Sequence, residues 1–182
     1  MITLREEKGT QLTHQEMDEN FKSVMGGHNF LHIQDQKPQG THGGTFTSGA
    51  WRTRDLNTVL TNTITGASLA ANQITLPAGK YYVEASAPAW GVRRHQAKIQ
   101  RVSEIAATML LGKSRHHTGG STPAVLDARV SGQFELDSEA TIELQHRSQD
   151  TVNNSGFGVA CNFTTEVYSD IRIWRIGEYV TP

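Results

Sequence analysis

Eight histidines are the first residues of this 182-residue chain that could do chemistry, as metal ligands or proton carriers. His116 and His117 are adjacent, and in an extended loop adjacent side chains diverge, so the two do not easily share one ion. No His-Glu-x-x-His motif and no Cys/His quartet accompanies them. His95 and His146 fall in strand-like runs, with His146 in phase with Ile142 and Leu144. They read as hydrogen-bonded structural histidines, with a site formed between chains as the alternative. Nucleophile chemistry has no frame either. There is no Gly-x-Ser-x-Gly, no Gly-rich loop opening a helix and no phosphate-cradling Gly-Lys-Ser/Thr. Sugar cleavage needs two carboxylates across a cleft, and Glu84, Glu135 and Glu143 qualify by identity alone. Each falls on the polar face of its strand-like run, where a solvated charge is the ordinary reading. The expectation is a chain that is not an enzyme, with no metal and no cofactor.

Binding chemistry is better represented. Arg115, His116, His117, Gln149, Asn153 and Asn154 lie in loop-like stretches, and such side chains hydrogen-bond sugar hydroxyls without a large apolar pocket. Trp51 and Trp90 offer flat faces for stacking. Seventeen basic against eighteen acidic residues leave a net charge of −1, which gives no electrostatic reason to seek nucleic acid or an anionic membrane. One cysteine, Cys161, excludes an internal disulfide, and its apolar neighbours suggest a buried, inert thiol on a strand. No window holds enough consecutive apolar residues for a transmembrane helix, and Met1 to Lys8 lack the apolar core of a signal peptide. A chain made in the cytosol and not exported by the usual route is expected. Asn153-Asn154-Ser155 and Asn162-Phe163-Thr164 match the glycosylation pattern but carry no weight without a leader.

The elements that must position these residues are mostly strands. Twenty Thr and 17 Gly stand beside only 36% hydrophobic residues, a balance of β-formers and turn formers. One helix is predicted, over 12–27. Thr13 with Glu16 makes a capping box, Leu12 and Met17 suit a hydrophobic staple, and Met17, Phe21, Val24 and Met25 form one apolar stripe before Gly26-Gly27. A helix of about twelve residues is marginal alone in water, so its stripe either packs on its own domain or binds a partner.

From His28 onward strands are predicted at 29–34, 45–56, 73–76, 80–89, 95–103, 108–113, 128–136, 140–147, 158–164 and 167–176. In 80–89, Tyr81, Val83, Ala85, Ala87 and Ala89 share one face while Tyr82, Glu84 and Ser86 share the other, the alternation of a half-buried antiparallel strand. Thr108 to Lys113 reads as buried, and 114–123 and 149–156 read as loops. With no repeat and no low-complexity tract, the fold class expected is all-β, an antiparallel jelly-roll β-sandwich with a short N-terminal α-helix. The division expected is an attachment segment, 1–27, and a jelly-roll domain, 28–182.

Two stretches carry a family resemblance. Lys8-Gly9-Thr10-Gln11-Leu12-Thr13-His14-Gln15-Glu16-Met17-Asp18-Glu19-Asn20-Phe21 resembles the "KGxxLTxxEMDxNF" segment of tailed-bacteriophage tail and fibre proteins. Leu76-Pro77-Ala78-Gly79-Lys80-Tyr81-Tyr82, Arg94 to Lys98, Leu110-Leu111-Gly112, Gly132-Gln133-Phe134, Leu144 to Arg147, Gly156 to Ala160, and Glu166-Val167-Tyr168 through Ile173-Trp174-Arg175 follow in order. Together they resemble phage tail-fibre tip domains of the tumour-necrosis-factor-like jelly-roll type, related in shape to the complement globular head. The match is loose over 28–75.

The resemblance implies a homotrimer mounted on a virion through its N-terminal segment, with Leu12, Met17, Phe21, Val24 and Met25 as the attachment stripe. It further implies loops presented to a bacterial surface glycan or protein receptor, among them Trp90, Arg115, His116, His117, Gln149, Asn153 and Asn154. Along the three-fold axis it suggests His95, His146, Phe157, Tyr168 and Trp174. One departure is visible: no repetitive shaft separates Gly26-Gly27 from the first strand. An adaptor or decoration protein of tail, collar or capsid, without receptor contact, is therefore the alternative.

Overall fold

Alternating runs from distant parts of the chain pair into two stacked antiparallel sheets. The computed structural model describes residues 8–18, 29–102, 107–117 and 125–179. The strands are β1 (Phe30–Lys37), β2 (Arg52–Thr53), β3 (Thr58–Asn62), β4 (Ser68–Ala70), β5 (Gln73–Leu76), β6 (Gly79–Trp90), β7 (Arg94–Val102), β8 (Ala107–Leu111), β9 (Arg115–His116), β10 (Val125–Leu136), β11 (Ala140–Ser148) and β12 (Glu166–Gly177). One sheet runs β10-β6-β12-β1-β3. The other runs β4-β5-β11-β7-β8, with β2 on β11 and β9 on β7. Every pairing is antiparallel.

The alternation decides what lies between the sheets. Tyr81, Val83, Ala85, Ala87 and Ala89 of β6 are all buried, as are Val130, Phe134 and Leu136 of β10 and Ile142, Leu144 and His146 of β11. Leu31, Ile33, Ile74, Leu76, Ile99, Ile171 and Ile173 complete the main core. A smaller cluster of Phe46, Ala89 and Val92, with Val152 and Phe157 against it, closes one end.

The register gives the sandwich two distinct ends. Phe30 lies opposite Trp174, and Trp174 opposite Tyr82, so these three mark the end where β1 begins and β12 finishes. Trp90 opposite Val125, and His95 opposite Ser148, mark the other end. On β6 the two ends are marked by Tyr82 and Trp90, roughly 27 Å apart at the usual rise per strand residue.

Five expectations need correction. The run 45–56 is not a strand: it contributes a bridge from Phe46 to Val152 and the two-residue β2. Residues 158–164 form no strand either: Gly158 N donates to the Ser155 carbonyl, Ala160 N to His42 Nδ1, and the Glu166 carboxylate takes the next two amides. It accepts N–H bonds from Cys161 (2.9 Å), Asn162 (2.7 Å) and Gly40 (3.0 Å), and Asn162 turns the chain at φ 62°. Cys161 is therefore exposed rather than buried. In β8, an edge strand, Leu111 is 60% exposed, so that segment is not buried as expected. Glu143 is not solvated: it is buried on β11, bonded to the Thr53 hydroxyl at 3.0 Å and to the side-chain amides of Gln73 and Gln145.

At the N-terminus, 14–18 are helical. The capping box forms: Thr13 N donates to Glu16 Oε2 at 2.7 Å, and Glu16 N donates to Thr13 Oγ1 at 3.2 Å. Lys8 also bonds Glu16, and the Lys8 and Thr13 hydrogen bonds hold its carboxyl down at a pKa of about 2. Leu12 is half-buried and Met17 exposed. Phe21, Val24 and Met25, the rest of the expected stripe, lie outside the described residues, as do Gly26 and Gly27. No helix among the described residues is long and apolar enough to cross a membrane.

Candidate functional site

Strands of the five-stranded sheet turn one set of side chains into the core and the other set outward, and the outward set is unusual. Phe30 of β1, Trp174 of β12 and Tyr82 of β6 stand side by side in register. Their rings contact: Phe30 to Trp174 at 5.0 Å and Tyr82 to Trp174 at 5.8 Å between centroids. The next row inward along the sheet is polar, with Glu84, Arg172 and His32 opposite one another. The row after that holds Ser86, Asp170 and Gln34. Asp170 ties the rows together, meeting His32 Nε2 at 2.7 Å, Gln34 Nε2 at 2.7 Å and Arg172 Nε at 3.2 Å.

A groove of about 910 Å³ continues this face toward the opposite end, between β10 and the loop that holds Phe163. Phe163 is 87% exposed, and Val125 and Val167 are also large apolar residues open to solvent there. Acidic Glu84, Asp127 and Asp170 interleave with Arg129 and Arg172 along it. A face with apolar rings at one end and both charge signs in its middle can meet a copy of itself without like-charge conflict.

At the opposite end of the sandwich the chain has buried polar groups. Arg54 is fully buried. It donates to Ser169 Oγ at 2.8 Å, to the Pro88 carbonyl at 3.2 Å and to the Phe157 carbonyl at 3.1 Å, and its guanidinium lies 4.0 Å over the Phe157 ring. Burial lowers its pKa to about 10. His95 Nδ1 and His146 Nε2 meet at 2.9 Å. Burial first, then the positive charge of Arg115 and Arg54, lowers His95 to about 4, and burial with Arg54 pushes His146 well down. Both rings are therefore neutral near neutral pH, and one proton is shared between the facing nitrogens.

These contacts correct the expected three-fold set. His95, His146 and Tyr168 are buried inside a single chain and have no surface to offer a second copy. His146 packs on Phe46 at 4.7 Å, Phe46 packs on Phe157 at 4.4 Å, and the Tyr168 hydroxyl donates to the Thr41 carbonyl at 2.7 Å. Phe157 belongs to that internal cluster. Trp174 alone of the five stands on the outward face of the five-stranded sheet.

The expected loop residues also divide. Arg115, His116 and Gln149 line one open cavity of about 500 Å³ with Trp51, Arg94, His95 and Arg147. Trp90 ends β6 on the other sheet, and Asn153 and Asn154 sit exposed on the 149–158 loop, where Asn154 N donates to Thr45 Oγ1 at 2.9 Å. His117 follows β9, its N–H donating to the Arg93 carbonyl at 3.0 Å.

Sequence reasoning missed Phe30, Tyr82, His32 and Asp170 on the outward face. The signal was there: β12 carries Ile171 and Ile173 on one face, and Trp174 and Ile176 on the other, so its outward face ends in large apolar residues. It also missed Arg54, which gives no such signal between Thr53 and Asp55. Among the described residues no group of three or more His, Cys, Asp or Glu could hold a metal ion. Glu84 and Glu135 lie on the five-stranded sheet and Glu143 on the other, so the three make no facing pair.

No protein-family profile matches the chain, and no curated protein matches it. Solved structures do. Murine APRIL at pH 8.5 superposes with a TM-score of 0.55 at 11% identity, over 82% of this chain and 100% of that one. The globular domain of zebrafish complement 1qA superposes with a TM-score of 0.51 at 10% identity, over 83% of this chain and 99% of that one. The fold is a TNF-like jelly roll. In this jelly roll the aromatic row and the arginine-lined cavity lie at opposite ends.

Proposed function

We propose that the chain is a non-catalytic, homotrimeric attachment module: a short tail fibre or receptor-binding tip of a tailed phage, mounted on the virion through residues 1–27 and presenting the far end of its jelly-roll domain, 28–182, to the bacterial surface. The observation that carries the trimer is the outward face of the five-stranded sheet, where Phe30, Trp174 and Tyr82 stack in register beside a charge-balanced strip. The virion role is supported by the resemblance of Lys8 to Phe21 to tail-protein segments. The geometry supports the division of labour, because the chain enters the sandwich at the Phe30 end, away from the arginine-lined loops. The module acts outside the host on a glycan or protein receptor, after synthesis in the host cytoplasm.

Light scattering on the purified chain tests the assembly: three chains of 20.0 kDa give about 60 kDa, and a single-chain mass would refute the trimer. A second reading, an adaptor or decoration protein of tail, collar or capsid, is favoured by the short spacing between the helical turn at 14–18 and β1, which leaves no room for a shaft. Deleting residues 1–27 separates the two. A tip still adsorbs to host cells after the deletion, whereas an adaptor loses its binding to the particle and never adsorbed to cells.

A further inference from the structure

The end of the jelly roll opposite the aromatic row holds a cavity whose chemistry is one-sided. Its walls carry Arg94, Arg115 and Arg147 and no Asp or Glu. The arginine ion pairs found among the described residues belong to Arg93, Arg101, Arg129, Arg172 and Arg175, so none of the three cavity arginines is neutralised by one. Asp150, the nearest carboxylate in sequence to the cavity's Gln149, is gripped through both oxygens by Arg93. Arg115 is itself held in place, its Nε donating to the Asp127 carbonyl at 2.9 Å.

A second, independent feature lies in the same wall. His95 is 5% exposed and lines the cavity, while His146, its partner at 2.9 Å, does not. The bond to His146 uses Nδ1, and the other nitrogen of an imidazole ring points to the opposite side. That atom, Nε2, has no hydrogen-bond partner. A buried polar atom without a partner is uncommon and calls for one. The shared proton of the pair decides its need. If His95 donates to His146, Nε2 is an acceptor; if His146 donates, Nε2 carries a proton and is a donor. A hydroxyl satisfies either state, and a carboxylate only the second.

We propose that this cavity binds an acidic sugar, with the arginines holding its carboxylate, Trp51 forming the apolar wall, and a small shift of the wall letting a ring hydroxyl reach the buried His95 Nε2. A volume of about 500 Å³ suits one carboxylated monosaccharide with ordered water. Arginine is the side chain suited to a carboxylate, because its planar fork bonds both oxygens at once. The assignment rests on the attachment reading for the source of the sugar, a bacterial surface polysaccharide, but the cavity's chemistry is argued from its own residues.

The full chain, 15N-labelled, is titrated with D-glucuronate, D-glucose and acetate while the Trp51 indole and the His95 and His146 imidazole signals are followed. Glucuronate is expected to shift all three sets, with glucose and acetate each at least about tenfold weaker. The double variant Arg94→Glu, Arg147→Glu changes two exposed side chains, so it should keep the wild-type thermal transition and weaken glucuronate by more than about tenfold. Glucose equal to glucuronate would overturn the acidic part, acetate equal to glucuronate would overturn the sugar, and binding that survives the double variant would overturn the site. Cell adsorption is scored separately. A chain that binds glucuronate but no cell upholds the cavity and refutes attachment, and one that adsorbs to cells while ignoring glucuronate does the reverse.

Discussion

Arg54 keeps its charge where no water reaches it, because three oxygens and one aromatic face replace its hydration. Its field reaches the neighbouring histidines, and they respond by staying neutral. The consequence is a pH dependence with a definite sign. An unfolded histidine takes up a proton as pH falls through about 6.5, whereas folded His95 refuses it until about 4. Between those values the unfolded chain binds more protons, so stability is fully present above about 6.5 and falls as pH drops. His95 alone contributes about 3 kcal/mol of that loss, and His146 adds to it in the same direction. Below about 4.5 the lowered pKa of Glu166, held down by amides of Cys161 and Gly40, adds a second loss. The urea midpoint should therefore fall between pH 7 and pH 5. His95→Gln should be less stable at pH 7 but show a shallower slope. An unchanged slope in that variant would place the proton uptake elsewhere.

Strands were legible wherever alternation was enforced by two different environments. In β6 one face meets the core and the other meets solvent or aromatic neighbours, and the period of two shows directly in the residues. The segments misread were those whose amides are satisfied outside a ladder. The apolar run Val159-Ala160-Cys161 looks extended, yet the Cys161 amide goes to Glu166 and the Ala160 amide to His42 Nδ1; no periodicity records such bonds. The same holds at the site: Trp174 was readable as an aromatic on a predicted strand, while its partners Phe30 and Tyr82 depend on which strands become neighbours. Gly158 shows how tightly this loop is set on β12. It has φ 141°, and a Cβ there would come within 2.3 Å of Tyr168 Cδ1. Gly158→Ala must displace a ring whose hydroxyl anchors the Thr41 carbonyl, which should cost about 2 kcal/mol. A thermal melt within a degree of wild type would show that the loop yields instead.

Across the whole molecule, the arrangement of ends decides what each surface can do. The aromatic row lies where β1 begins and β12 finishes, and the arginine-lined cavity lies at the far end of β6, roughly 27 Å away along the strand from Tyr82 to Trp90. In the proposed trimer, three copies joined through the outward face of the five-stranded sheet would leave the other sheet and its cavity at the periphery, so assembly and ligand binding would use separate surfaces. Assembly then enters the stability of the chain itself. A folded trimer gains over unfolded single chains as concentration rises, because two of every three chains' association is favoured by mass action. A tenfold rise in concentration is worth about 1 kcal/mol per chain on that count, or about 2–4 °C in Tm for a chain of this size. Wild-type protein should show that rise. Trp174→Glu places a charge in the aromatic row without touching the buried core, since Trp174 points away from Ile171 and Ile173. It should abolish the concentration dependence and lower the native mass to one chain while the β-sheet spectrum persists. If the variant's Tm still climbs with concentration, the copies meet through a different face and the row of Phe30, Trp174 and Tyr82 faces something other than itself.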